Sequence, residues 1–184
     1  GKRKLFRVKE TEKHPRTQRG PRASRPHMPA SYGILTATEG SGLLPWTWAE
    51  ERLVRARNYW VATTRPDQTP HVMPVWGLWL NGAFHFATDR SSRKGRNLVL
   101  NPHAVVHLES GDEVVILEGV MKEIAEASAL RQFADAYATK YDVKVSVTPK
   151  AQRTTVIFTL RPSTAYAWLE SDYPGTATRW QFEK

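Results

Sequence analysis

Beyond Asn58 the chain is a succession of short runs of β-branched and aromatic residues separated by turn residues, a pattern of strands joined as hairpins. Tyr59 to Thr64 and Pro70 to Leu80 flank the turn sequence Arg65-Pro66-Asp67-Gln68-Thr69. Asn81-Gly82 then suits a two-residue hairpin turn, in which both central positions take positive φ, and Ala83 to Thr88 returns as the partner strand. Ala104 to Glu109 and Glu113 to about Glu123 surround the tight turn Ser110-Gly111-Asp112, and Thr154 to Leu160, Ala165 to Leu169 and Ala177 to Phe182 close the chain as three further strands. Helical spacing occurs three times. Thr47 with Glu50 forms a capping-box pattern opening a helix to about Asn58. Asp89, Ser91 and Ser92 are candidate caps of a short helix that Asn101-Pro102 stops at Leu100. Leu130, Phe133, Ala134 and Tyr137 share one face of a helix over about Ser128 to Lys140. Many short hairpin-linked strands with few helices predict a mainly β fold, an antiparallel barrel with short flanking helices.

The strand from Val72 to Trp79 is apolar or small on both faces, as befits a strand covered on one side by the core and on the other by a flat ligand or a second subunit. Pro74 cannot donate to a ladder, so the strand borders an edge, a bulge or an opening.

Composition narrows the classes. The 184 residues suit one domain with appendages, and seven Trp, six Tyr and six Phe supply ample apolar area for a core and a pocket. Cysteine is absent, which removes disulfides and thiolate chemistry. No stretch approaches the roughly 20 apolar residues of a membrane span, and no secretory signal opens the chain, so a cytoplasmic protein without a membrane partner is expected. The net charge of +9 is concentrated in residues 1–27, where ten Lys and Arg face only Glu10 and Glu12, a net +8 that leaves +1 for the rest. Three parts follow. Residues 1–27 are expected to be a disordered basic tail, either a leader with the native chain opening at Met28 or a targeting or nucleic-acid-binding arm. Residues 28–45 read as an extended lead-in, and 46–184 as the barrel domain. Nucleic acid is not expected as a partner of the near-neutral body.

Chemistry is best placed where strand Ala83–Thr88 meets the next helix. A helix start offers unpaired N–H groups and the positive end of a dipole, and here Ser91 and Ser92 add hydroxyls while Arg93, Lys94 and Arg96 add cations, a set suited to a phosphate. The same residues also describe an ordinary capped, solvated helix. The histidines at 71, 85, 103 and 107 lack metal-ligand spacing and are assigned structural or surface roles.

Phe84-His85-Phe86-Ala87-Thr88-Asp89 followed by Ser92-Arg93-Lys94, Leu98 and Asn101-Pro102 resembles the phosphate-binding core of the pyridoxamine 5′-phosphate oxidase-like family, the flavin-binding split barrels. Gln68 to Trp76 resembles that family's cofactor-lining strand, and Glu118-Gly119 its barrel-closing strand. The resemblance spans about residues 46 to 124 and implies an FMN-binding split barrel of antiparallel Greek-key type, homodimeric, with the cofactor at the interface. Carried over by position, Arg93 and Lys94 bind the phosphate, Thr88 and Ser92 donate hydroxyl bonds, Asn97 contacts the phosphate arm, and Met73, Pro74, Val75 and Trp76 face the isoalloxazine ring. Arg179 and Trp180 resemble a C-terminal pair that reaches the cofactor. The short, different C-terminus departs from true pyridoxamine phosphate oxidases, so vitamin B6 phosphate is not the expected substrate. The resemblance points instead to the actinobacterial-type branch, whose members use FMN or the deazaflavin coenzyme F420.

In such a protein the cofactor carries the hydride chemistry, and no catalytic acid or base is required of the chain. The expectation is therefore an FMN- or F420-dependent oxidoreductase acting on a small conjugated molecule. The alternative is a non-catalytic carrier of flavin, F420 or haem.

Overall fold

The computed structural model describes residues 20–183. In chain order the regular elements are β1 (Arg22–Ser24), α1 (Trp46–Arg55), β2 (Asn58–Thr64), β3 (Pro70–Trp76), β4 (Leu78–Leu80), β5 (Ala83–Asp89), α2 (Arg93–Leu100), β6 (His103–His107), β7 (Glu113–Glu123), α3 (Ala127–Tyr141), β8 (Thr155–Leu169), α4 (Tyr173–Thr176) and β9 (Thr178–Gln181). All strand pairings are antiparallel and run in the order β1-β9-β8-β7-β6-β2-β3, with β5 pairing both β8 and β4.

The barrel closes because residues 70–80, expected as one strand, change partners halfway. Pro70–Trp76 pairs with β2, whereas Leu78–Leu80 pairs with β5. Gly77 is the corner. A Cβ there would lie 2.5 Å from the Phe84 ring and 2.8 Å from the His85 carbonyl, a space that only glycine can occupy. Two side chains from the end of α3 fasten it: Gly77 N–H donates to the Tyr141 hydroxyl at 2.9 Å, and Lys140 Nζ donates to the Gly77 carbonyl at 2.9 Å. The following turn forms as the sequence predicts, with Asn81 at φ 54° and Gly82 at φ 69°.

Elsewhere two expected strands are one. Thr155–Leu169 is continuous, and its pairing with β7 shifts register at Glu118/Gly119, where Pro162 lies opposite Gly119. The bulge accommodates the proline, which has no N–H for the ladder. α1 also starts differently from the capping-box expectation. It opens at Trp46 with Pro45 preceding it and no side-chain cap, so Thr47 sits inside the first turn and Glu50 accepts instead from Trp79 Nε1 at 3.3 Å. Alternation along β2 turns Tyr59, Val61 and Thr63 inward, and they join Phe84, Phe86, Val106, Leu117, Leu160 and the α1 residues Ala49 and Leu53 in the barrel interior. A second cluster, Leu78, Leu130, Phe133, Tyr141 and Ile157, seats α3 on the outside.

Of the segment expected to be a disordered tail, residues 1–19 lie outside the described residues. Its last part is ordered. Arg22–Ser24 extends the sheet beside β9, and the Arg25 guanidinium donates to the carbonyls of Thr36, Glu39 and Ala177 at 3.0–3.2 Å. Arginine can satisfy several carbonyls at once, which a composition-based reading of the tail does not anticipate.

Candidate cofactor-phosphate site

The helix start that follows β5 is built by a tight hydrogen-bonded turn. Asp89 Oδ1 accepts from Ser91 N–H at 2.7 Å and from the Ser91 hydroxyl at 2.6 Å, bonds that hold its carboxyl below the ordinary range. Ser91 is thereby committed to the turn. Ser92 is the N-cap, its hydroxyl accepting from Gly95 N–H at 3.1 Å and lying 3.0 Å from the Thr88 hydroxyl. Two hydroxyl protons share one mutual bond, so the Thr88 and Ser92 pair keeps one donor for a ligand. With Gly95 claimed by the cap, the first-turn N–H groups of Arg93 and Lys94 have no intrahelical acceptor. Gly95 is itself required by the packing: a Cβ would stand 2.7 Å from the Asp89 carbonyl and 3.0 Å from that of Arg90.

Charge at this corner is one-sided. Arg90 is paired with Glu123 across the turn, but Arg93, Lys94, Arg96 and Arg65 make no ion pair among the described residues. Burial holds the Lys94 ammonium below its usual range. His71 lies opposite Thr63, whose hydroxyl holds Asn97 of α2, and it is held down by burial first and then by the charges of Arg65, Lys94 and Arg93, three cations close enough to act on its ring.

Polar support comes from the barrel side. Asn97 is fully buried and its Nδ2 donates to Thr63 Oγ1 at 3.0 Å, while its Oδ1 has no partner among the described residues. Thr63 lies directly across the β2–β3 ladder from His71, whose Nδ1 is likewise buried and unpartnered. Cations without counter-acids, open helix N–H groups and the orphaned His71 ring nitrogen form a set that fits a phosphate, whereas Asn97 Oδ1 is an acceptor and calls for a donor such as water.

The expected ring-facing residues divide between two faces. Val75 packs on the barrel core and shares a face with Met73 and His71, whereas Pro74 and Trp76 lie on the opposite face, as strand alternation demands. Trp76 is committed to stacking on Tyr141, with ring centroids 4.7 Å apart and planes 4° apart. Arg179 is on β9, opposite Tyr166, with its Nε buried and unpartnered among the described residues. Trp180 departs from the expectation. It is 1% exposed, turned into the barrel against Trp46 at 5.1 Å, where it meets core side chains rather than a surface-bound ligand.

Arg65 and His71 were not among the expected binding residues. The signal for them was the hairpin itself, because a turn over residues 65–69 necessarily puts Arg65 beside the start of β3 and His71 opposite Thr63.

The sequence model of the pyridoxamine 5′-phosphate oxidase family matches residues 49–169, a span that contains α2, β3 and the whole cationic corner. The chain belongs to that family. No curated protein matches the sequence. Among solved structures, one described as an F420 reductase is 25% identical, with 63% of this chain and 94% of that chain covered at a TM-score of 0.51. A conserved hypothetical protein of Mycobacterium tuberculosis is 22% identical over 68% of this chain and 85% of that one, at a TM-score of 0.59. A putative pyridoxamine 5′-phosphate oxidase of Listeria innocua is 13% identical over 66% and 93%, at 0.53. At these identities the last two share the fold: an antiparallel split barrel with short helices. Members of the pyridoxamine 5′-phosphate oxidase family bind flavins or F420 and include oxidoreductases. Among the described residues no helix is long and apolar enough to cross a membrane.

Proposed function

We propose that the protein binds a phosphate-bearing flavin-type cofactor, FMN or F420, and uses it to transfer hydride to or from a small conjugated molecule. The observation that carries the reading is the cationic corner at the start of α2, where Arg93 and Lys94, with Arg65 near His71, have no acidic partner among the described residues inside the family-matched segment. The F420 reductase at 25% identity supports the deazaflavin as readily as the family supports FMN.

When bound, the cofactor supplies the redox chemistry, and the chain supplies grip and orientation. Arg93 and Lys94 hold the phosphate with their guanidinium, ammonium and backbone N–H groups, and the Thr88 and Ser92 pair donates the remaining hydroxyl proton. Asn97 supports the site from beneath by fixing Thr63. Met73 and Val75, on the His71 face of β3, border the ring system, and Pro74 and Trp76 shape the strand from the other side. Arg179 lies on β9, between β1 and β8. A second subunit completes the site, since β3 is a sheet edge with Val72, Met73 and Trp76 48%, 44% and 38% exposed.

The test is the paired variant Arg93→Ala/Lys94→Ala. Neither side chain belongs to the core, so the expected result is an unchanged thermal transition with loss of FMN and F420 retention through gel filtration. Retention at the wild-type level overturns the reading. Wild-type turnover with reduced cofactor and a panel of electron-poor alkenes and quinones supports the oxidoreductase, whereas binding without turnover makes the protein a carrier.

A further inference from the structure

His71 is unlike the other histidines of the barrel. His85 Nε2 lies 3.1 Å from the Leu80 carbonyl, and His107 Nδ1 lies 2.8 Å from the Leu108 carbonyl with its ring stacked on Trp60 at 6.2 Å. Those rings have backbone partners. The Nδ1 of His85 is also buried without a partner, but only at His71, of these three, does neither ring nitrogen have a hydrogen bond among the described residues.

The groups that face His71 come from three elements. From β2, Thr63 stands opposite it, its hydroxyl holding Asn97 of α2. From the β2–β3 turn comes Arg65, and from the start of α2 come Lys94 and Arg93. Every charged group in this set is a cation. The nearby acids are occupied elsewhere: Asp67 accepts from the N–H and hydroxyl of Thr69 at 3.0 and 2.6 Å, and Asp89 accepts from Ser91. Positive surroundings favour the neutral imidazole, and burial acts in the same direction. Both influences hold His71 below the ordinary histidine range. An anion docked on α2 offsets those positive charges at the ring.

We propose that His71 is a proton-linked ligand of the bound phosphate: its imidazole takes up a proton from solvent as the anion docks and then donates a ring N–H to it. This rests on the reading that the start of α2 receives a phosphate. The orphaned ring nitrogen of His71, opposite the Thr63 that holds Asn97 of α2, is the polar atom that a bound anion would engage; the Asn97 Oδ1, an acceptor, would take a hydrogen bond only from the anion's hydration. The chemistry is a proton transfer from water to imidazole with no other bond changed. Its consequence is linkage: because binding takes up a proton, anion affinity falls as pH rises between the ring's free-state and bound-state pKa values, with a limiting slope of about tenfold per pH unit.

The experiment is an NMR titration of the histidine ring resonances of the full chain from about pH 5 to about pH 8.5, a range that brackets an ordinary histidine. The His71 signal is assigned with His71→Gln, and the titration is repeated with sodium sulfate, with FMN and with F420 against chloride at matched ionic strength. Sulfate is a suitable probe because its charge is fixed across the range. The expected result is a His71 midpoint below that of an ordinary histidine in chloride, moved upward by about one unit or more with the bound anion. His85, His103 and His107 stay in place, and the movement is lost in Arg93→Ala/Lys94→Ala. A His71 midpoint that sulfate, FMN and F420 all leave unchanged overturns the proposal, as does an equal movement in the double variant. If sulfate moves His71 while neither cofactor binds, the flavin reading fails and the proton-linked anion site stands.

Discussion

Single side chains at two corners of the barrel govern what it can do. At the phosphate corner, Gly95 has no room for a Cβ because the obstacles are the Asp89 and Arg90 carbonyls, which are backbone. Gly95→Ala is therefore expected to cost about 1–3 kcal/mol of stability, in the range of overpacked positions, and to weaken FMN or F420 binding; denaturant melts and titration check it. At the other corner, burial and the neighbouring Arg57 bring the Lys140 ammonium down to about 8, although its Nζ bonds to the Tyr59 hydroxyl at 3.0 Å and to the Gly77 carbonyl. The folded state thus releases this proton at lower pH than the unfolded chain, whose lysine titrates near the usual value of about 10.4. Fewer protons on the folded side mean that stability rises with pH from about 8 until the unfolded lysine deprotonates. Tyr59, pushed up by burial, acts oppositely once unfolded tyrosines ionise at about 10. Between these limits the wild type is expected to gain stability relative to Lys140→Met, whose curve lacks this contribution. Parallel curves for the two proteins over that window would contradict the account.

How far the elements could be read from the sequence follows from what sets each of them. The hairpin β4–β5 was fully legible because Asn81 and Gly82 impose positive φ at both turn positions. β8 was not, because Pro162 resembles a strand breaker and only its partner reveals the bulge at Gly119 that accepts it. Nor was the corner at Gly77 legible, since nothing local shows that a strand will exchange β2 for β5; that is a tertiary property fixed by Tyr141 and Lys140 from 64 and 63 residues away. Gly77→Ala is expected to destabilise by about 3 kcal/mol or more, because the added methyl meets the buried Phe84 ring and a carbonyl together. The start of α1 gives the converse prediction. A capping threonine replaced by alanine costs about 1 kcal/mol, but Thr47 is exposed and caps nothing, so Thr47→Ala should change stability by less than about 0.5 kcal/mol. The proposed anion site draws on both local and tertiary signals. Arg93 and Lys94 follow from a strand leading into a capped helix, whereas Arg65 and His71 join them only through the register of β2 with β3.

Over the whole chain, charge and apolar surface occupy different places than a global reading suggests. Most of the formal +9 belongs to the first 27 residues, yet the cations of the proposed site are the few at the start of α2 and on the β2–β3 turn. The barrel leaves β3 as one sheet edge, and α2 ends in Val99 and Leu100, 75% and 70% exposed. Exposed apolar positions on an edge strand and on the helix carrying the phosphate site are what a second copy of the chain would cover. Sedimentation should therefore give a dimer, and Val99→Glu/Leu100→Glu should shift it towards monomer while weakening cofactor binding, as the proposed shared site requires. A monomeric wild type that still binds cofactor would remove the dimer from the account.

The central claim is that the start of α2 grips the phosphate of a flavin-type cofactor. The most direct measurement is an absorbance and fluorescence titration of the purified full chain with FMN and, separately, with F420. Saturable binding of at least one is predicted, weakened at least about 100-fold in Arg93→Ala/Lys94→Ala, because two charge-assisted hydrogen bonds worth about 1.5–3 kcal/mol each are lost. A flat response to both cofactors, or equal affinity in the double variant, would contradict it.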